Sequence, residues 1–179
     1  KCNHIQIYPI PTLNDEKKFY DENLQDKNIN DVGSIKRARR KMMPDNTRRA
    51  ELVSKIITKR SRILEIGSGH GFFLDIMKKN GYDITGFEIS KEKRKYSKKV
   101  TKVPVLDINI NEKIPTGKPF DIVVLFHTLE HIIDPVILLK NIKKLLKPKG
   151  KVLVEVPNCD DFHLGLNKSY KKFYWERAH

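Results

Sequence analysis

Apolar residues recur along this chain at two different spacings. Short continuous runs, such as Arg62-Ile63-Leu64-Glu65-Ile66 and Phe120-Asp121-Ile122-Val123-Val124-Leu125-Phe126, have the length and β-branched content of buried strands. Between them, apolar residues return every three or four positions, the period of a helix with one buried face. Gly33 to Met43 reads as a basic helical stretch stopped by Pro44. Asn46 is placed to cap a second helix carrying Ala50, Val53, Ile56 and Ile57 and running to Lys59 or Arg60. After the first strand, Phe72 to Asn80 restarts the helical period, with Gly81 as its stop.

The alternation continues. Asp83 to Glu88 is expected as a strand, and Ser90 as the cap of a helix reaching about Val100. Val103 to Leu106 is a short strand ending at Asp107, and Phe120 to Phe126 the next. Asp134 caps a helix with Pro135 at its first position and Leu138, Leu139, Ile142, Leu145 and Leu146 as its stripe. Pro148 and Gly150 end it, and Lys151 to Val156 makes a fifth strand. Strand–helix alternation of this regularity predicts a Rossmann-like α/β fold: a mostly parallel sheet, right-handed crossovers and helices on both faces. Three parts are expected. Residues 1–45 form an arm, with Pro9, Pro11 and a helix around Asp15 to Asn23, and a basic helical segment; residues 46–158 form the core; residues 159–179 form an aromatic end with Phe162, Tyr170, Phe173, Tyr174 and Trp175.

Composition narrows the class. A chain of 179 residues, 39% hydrophobic and 32% charged, holds one ordinary domain with a sizeable core. Its longest apolar runs fall far short of the ~20 residues of a membrane span. No apolar segment of signal-peptide type follows Lys1, Cys2, Asn3 and His4, and two cysteines at opposite ends, Cys2 and Cys159, make no disulfide scaffold. The expected location is cytoplasmic. The opening at Lys1, without an initiator methionine, reads as a cut start, and the sequence leaves open a fragment or a shortened design whose fifth-strand edge a partner covers. The net charge of +14 is unevenly spread: residues 36–62 carry eleven basic and two acidic side chains. Such a field attracts polyanions, although lysines on the polar sides of amphipathic helices explain most of it.

The candidate chemistry lies in Glu65-Ile66-Gly67-Ser68-Gly69-His70-Gly71, between a strand and a helix. Ligands of parallel α/β sheets sit at the carboxyl ends of strands, and glycines there let the backbone approach closely. A dinucleotide fingerprint needs G-x-G-x-x-G, which would put its third glycine where Phe72 stands. The spacing instead suits a nucleoside without a pyrophosphate.

Ile63 to Ser90 resembles the class I S-adenosylmethionine-dependent methyltransferases, in particular their small-molecule branch. The likeness extends through Phe120-Asp121-Ile122-Val123, His127-Thr128-Leu129-Glu130-His131 and Leu146-Lys147-Pro148-Lys149-Gly150, covering residues 46–158. It implies S-adenosylmethionine as cofactor and methyl transfer to a small molecule, such as a sugar or cell-envelope metabolite. In the implied site Gly67, Ser68, Gly69 and Gly71 admit the amino-acid and ribose parts, and Glu65 faces the cationic methionine end. Glu88, followed by Ile89, accepts the ribose hydroxyls; Asp107, with the Ile108 backbone beside it, accepts the adenine amino group. Phe126 and His127 lie near the methyl group, with His127 as the candidate general base. His131 is expected to be a packed, structural histidine. His127, Glu130 and His131 on one short segment are too few for a metal, and none is expected.

The same likeness demotes some substrates. Phe126-His127-Thr128-Leu129 stands where DNA amino-methylating relatives carry an Asp/Asn-Pro-Pro-Tyr-like motif, and Cys159 is not placed as a cytosine nucleophile. Cys2-Asn3-His4, the prolines that follow and Phe19-Tyr20 resemble the junction after a small zinc module in sugar and cell-envelope methyltransferases. Asp160 to His179 leaves room for a loop or helix but not for the family's C-terminal antiparallel strand pair, which the fold is expected to lack. The alternatives kept open are a methyltransferase for RNA or another polyanion, with nucleic acid less favoured as a partner, and a non-catalytic cofactor-binding module.

Overall fold

The computed structural model of the chain describes Thr12 and residues 32–158. The expected arm helix around Asp15 to Asn23, both cysteines and the aromatic end lie outside the described residues. The elements in chain order are α1 (Val32–Ile56), β1 (Arg62–Ile66), α2 (Phe72–Lys79), β2 (Asp83–Phe87), α3 (Lys91–Thr101), β3 (Val105–Leu106), β4 (Phe120–Phe126), a 3-10 turn (Leu129–His131), α4 (Pro135–Leu145) and β5 (Leu146–Glu155).

The five strands form one sheet in the order β3-β2-β1-β4-β5, and every pairing is parallel. This is the expected Rossmann-like architecture, with the chain reversing direction across the sheet between β1 and β4. Strand alternation sends Ile63, Ile84, Ile122 and Val124 to one face, where Ala50 and Val53 of α1 and Phe73, Leu74 and Met77 of α2 cover them. Leu64, Ile66, Val123 and Leu125 go to the other face, under Leu138, Ile142 and Leu145 of α4. Because both faces are covered, β4 is apolar at nearly every position and buried from Ile122 to Phe126. The expected caps are present: Asp134 accepts from the Ile137 N–H at 2.8 Å, and Ser90 accepts from the Lys93 N–H at 3.5 Å.

Several boundaries differ from expectation; β3, expected from Val103, begins only at Val105. Pro44 does not stop a helix: α1 runs through it, so positions 45 and 46 lie in one continuous element. Pro44 leaves the Arg40 carbonyl without its helical donor. Asn46, expected as a cap, is buried inside the helix and donates from Nδ2 to the Met42 carbonyl at 2.8 Å. Tertiary contacts keep both halves in line. Ile35, Ala50 and Val53 are buried, and the Arg39 guanidinium pairs with Asp75 of α2. Helix α1 ends at Ile56 and not at Lys59 or Arg60, because Thr58 and Ser61 close a turn of their own: the Ser61 N–H donates to the Thr58 carbonyl at 3.0 Å.

The last strand begins early, at Leu146, and its register on β4 jumps from Phe120↔Leu146 to Ile122↔Lys151. Pro148, Lys149 at φ 63 and Gly150 occupy the extra residues of that irregularity. Pro44→Ala restores a donor to the Arg40 carbonyl. It is expected to raise stability by ~1 to 3 kcal/mol, read as a higher urea midpoint with an unchanged slope.

Candidate functional site

The carboxyl ends of β1, β2 and β4 open onto one cleft. Leaving β1, the chain turns back so that the N–H groups of Gly67 and Ser68 both donate to the Phe87 carbonyl of β2, at 2.9 and 3.1 Å. Gly67, Gly69 and Gly71 have φ of 73°, 53° and 77°, the left-handed region that glycine enters without strain. Their surroundings separate their roles. A Cβ on Gly67 would lie 2.3 Å from Thr128 Oγ1, and one on Gly71 would lie 2.1 Å from Ser97 Oγ of α3. Gly69 alone of the three meets nothing within 4 Å among the described residues. Two of the glycines therefore admit other parts of this chain, and Gly69 leaves room for a ligand.

Glu88, the residue after β2, is buried, 6% exposed. Its Oε2 accepts from the Gly69 N–H at 2.7 Å and its Oε1 from the Ser90 N–H at 2.8 Å. Each oxygen retains a lone pair for another donor. The cleft wall beside it includes Gly67, Ile89, Ile108 and His127, so these expected residues come together around Glu88 and Gly69.

Other expected residues do not line this cleft. Ser68 is buried behind the loop, and its hydroxyl has no hydrogen-bond partner among the described residues. The Asp107 carboxylate is largely exposed and paired with Arg94 Nη2 at 2.7 Å. Phe126 is buried with its ring edge-on to Phe73, the centroids 4.9 Å apart. Glu65 lies on the other face of β1 from Leu64 and Ile66, 5% exposed, with no hydrogen-bond partner for Oε2 among the described residues. Burial pushes its carboxyl well above the usual carboxylate range; the Arg49 charge opposes this and Glu88 adds to it.

His127 follows β4 with φ 51, a left-handed conformation rare for a residue with a Cβ, and its ring is half exposed at the cleft. His131 also lines the cleft, which the expectation of a packed structural histidine did not include. Burial holds its imidazole below the usual value, although Glu130 opposes this. Burial pushes the Glu130 carboxyl up, but His127 and His131 beside it bring the balance below the usual range. Among the described residues no cluster of three or more His, Cys, Asp or Glu side chains is arranged to hold a metal ion.

Sequence reasoning missed Thr128, Asn109, Ile110 and Lys93 on the wall, and Arg49 and Glu155 behind it. Glu155 carried a usable signal, a lone carboxylate inside Val152-Leu153-Val154-Glu155-Val156. Arg49 carried none, being one basic residue in a run of many. That run is also less free than its charge suggests. Arg39, Arg48, Arg49 and Arg62 are paired with carboxylates, and Lys59 donates to the Asn80 carbonyl.

A family model described as a methyltransferase domain matches residues 35–179, and the chain belongs to that family. The ubiquinone biosynthesis O-methyltransferase of Coxiella burnetii is 27% identical over 126 residues, which are 68% of this chain and 50% of that protein. The chain thus spans about half the length of the curated relatives it matches. Among solved structures, the plantazolicin methyltransferase BpumL, in complex with a pentazolic desmethylPZN analogue and SAH, aligns with a TM-score of 0.63 at 20% identity. That alignment covers 94% of this chain and 72% of BpumL. SAM-bound CalS10, an amino pentose methyltransferase from Micromonospora echinaspora, aligns with a TM-score of 0.57 at 15% identity, over 66% of this chain and 52% of its own. At such identities the likeness is one of fold.

The raised Glu65 carboxyl has a consequence for stability. The folded chain holds that proton more tightly than the unfolded chain, whose glutamate titrates at about 4.3, so stability falls as pH rises from there towards the folded value. Glu65→Gln removes this titration. Urea unfolding is expected to show the variant matching the parent near about pH 4 and exceeding it at neutral pH, with the gap opening between.

Proposed function

We propose that this chain binds S-adenosylmethionine in the cleft beside Gly69 and Glu88 and transfers its methyl group to a small molecule. The observation that carries the reading is the Glu88 carboxylate. It is buried, fixed by two backbone donors, and next to the one loop glycine whose Cβ position would meet nothing among the described residues. A carboxylate so held offers its remaining lone pairs to a pair of vicinal hydroxyls. Glu65, buried behind the glycine loop, remains our choice for the residue that acts on the cationic end through the loop and not by lining the cleft. Ile108, Ile110 and Ile132 give an apolar wall against which a flat base can lie.

The cofactor supplies a methyl group already activated by a positive sulfur; the chain holds, orients and keeps water out. His127, at the mouth of the cleft, is the group we assign to hold the acceptor's proton, with Phe126 packed behind it. Asp107 and Ile108 remain our choice for the adenine edge, although Arg94 already engages one Asp107 oxygen. The relatives' names support a hydroxyl acceptor. A sugar or cell-envelope metabolite is our narrower choice of substrate, and the cytoplasm our choice of location, since this cofactor is an intracellular metabolite. No helix among the described residues is long and apolar enough to cross a membrane. RNA is the weaker reading, because four arginines of the basic run are already paired.

Calorimetric titration with S-adenosylmethionine and S-adenosylhomocysteine tests the proposal. Micromolar binding is expected, weakened about tenfold or more in Glu88→Ala because a charge-assisted bond is worth ~1.5–3 kcal/mol. A folded chain that binds neither compound, or a Glu88→Ala variant that binds both unchanged, overturns it.

A further inference from the structure

His127 stands among charges that the glycine loop does not account for. Its Nε2 lies 3.4 Å from Glu155 Oε1, and its Nδ1 lies 3.4 Å from Glu130 Oε1. Its backbone N–H donates to the carbonyl of the same Glu155 at 2.9 Å. Glu155 is gripped in turn from α1. Arg49 donates to Oε1 from Nε at 2.9 Å and also from Nη2, and Arg48 donates to Oε2 from Nη2 at 2.7 Å. The Arg49 side chain is 7% exposed, and its guanidinium carbon lies 4.9 Å from the centroid of Phe126, the residue before His127.

This arrangement surrounds a residue whose backbone is in the left-handed region at φ 51. A side chain there costs of order 1–2 kcal/mol and persists where neighbours over-determine it. Glu155 supplies two of the constraints, one on the main chain and one on the ring. We infer that Glu155, held by Arg49 and Arg48, is the positioning residue for His127, so that helix α1 sets the orientation of the imidazole at the mouth of the cleft. From the 3-10 turn, Glu130 faces the same ring at Nδ1, and the imidazole of His131 adds its charge nearby. The two arginines also keep Glu155 ionised: burial pushes its carboxyl up, but Arg49 and then Arg48 hold it below the usual range. The catalytic meaning of this device rests on the role proposed for His127, whereas the device itself is testable without any ligand.

The test is the ring nitrogen spectrum of His127 in the ¹⁵N-labelled full chain at neutral pH, assigned by its loss in His127→Gln. Glu155→Gln and Arg49→Met are expected to displace both His127 ring nitrogens, and Arg49→Lys, which keeps the charge but loses the two-nitrogen grip, to displace them less. Asp75→Asn loosens α1 at its other ion pair, with Arg39, and is expected to leave them in place. Ring nitrogens unmoved in Glu155→Gln, or moved equally by Asp75→Asn, overturn the inference. Should Glu155→Gln fail to fold, the Arg49→Lys and Asp75→Asn comparison decides it. The readout needs no cofactor, so its failure and a failure of cofactor binding are separate results.

Discussion

The site depends on one buried carboxylate. Glu88 follows the strand beside β1, away from bulk water, and a charge in that position is tolerated only with good partners. Its two donors come from different segments: Gly69 from the loop after β1 and Ser90 from the start of α3. One side chain therefore ties together two neighbouring strand ends and a helix cap. Aiming the Gly69 N–H at Glu88 goes with a left-handed backbone at φ 53, and a Cβ-free residue at that point leaves the cleft open. The shape of the cleft and the fixity of its main acceptor have the same cause.

A second layer of charge lies behind β1 and β4. Arg49 reaches from α1 to Glu155 at the end of β5, passes over the Phe126 ring and acts electrostatically on Glu65. A part-buried ion pair of this type gives little net stability, because desolvation offsets the attraction, but it fixes geometry. Here the geometry concerns the two residues at the end of β4. Helix α1 thereby contributes to the site as well as covering the sheet. Its hold on the core also runs through Arg39 and Asp75, at the first turn of α2.

Much of the sheet was legible because its signals are local. Apolar runs of strand length, the caps Ser90 and Asp134, and the glycine spacing after β1 each declare themselves within a few residues. Pro44 misled because its local preference against a helix interior is real, and the packing of Ile35, Ala50 and Val53 with the Arg39–Asp75 pair outweighs it. The division of labour among Gly67, Gly69 and Gly71 was not legible at all. It depends on Thr128 and Ser97, which fold against the loop from distant parts of the chain. The Arg49–Glu155 pair joins residues 106 positions apart, and nothing in a basic run says which member will be buried.

The central claim is that a nucleoside cofactor occupies the cleft built on Glu88 and Gly69. The most direct measurement is the backbone amide spectrum of the ¹⁵N-labelled chain titrated with S-adenosylhomocysteine. The account predicts that the perturbed amides cluster at Gly67, Gly69, Glu88, Ile89, Ile108 and His127, while Arg62, Asp83 and Asp121 at the opposite ends of the strands stay in place. Perturbations centred on that opposite end, or none at saturating ligand, would contradict it.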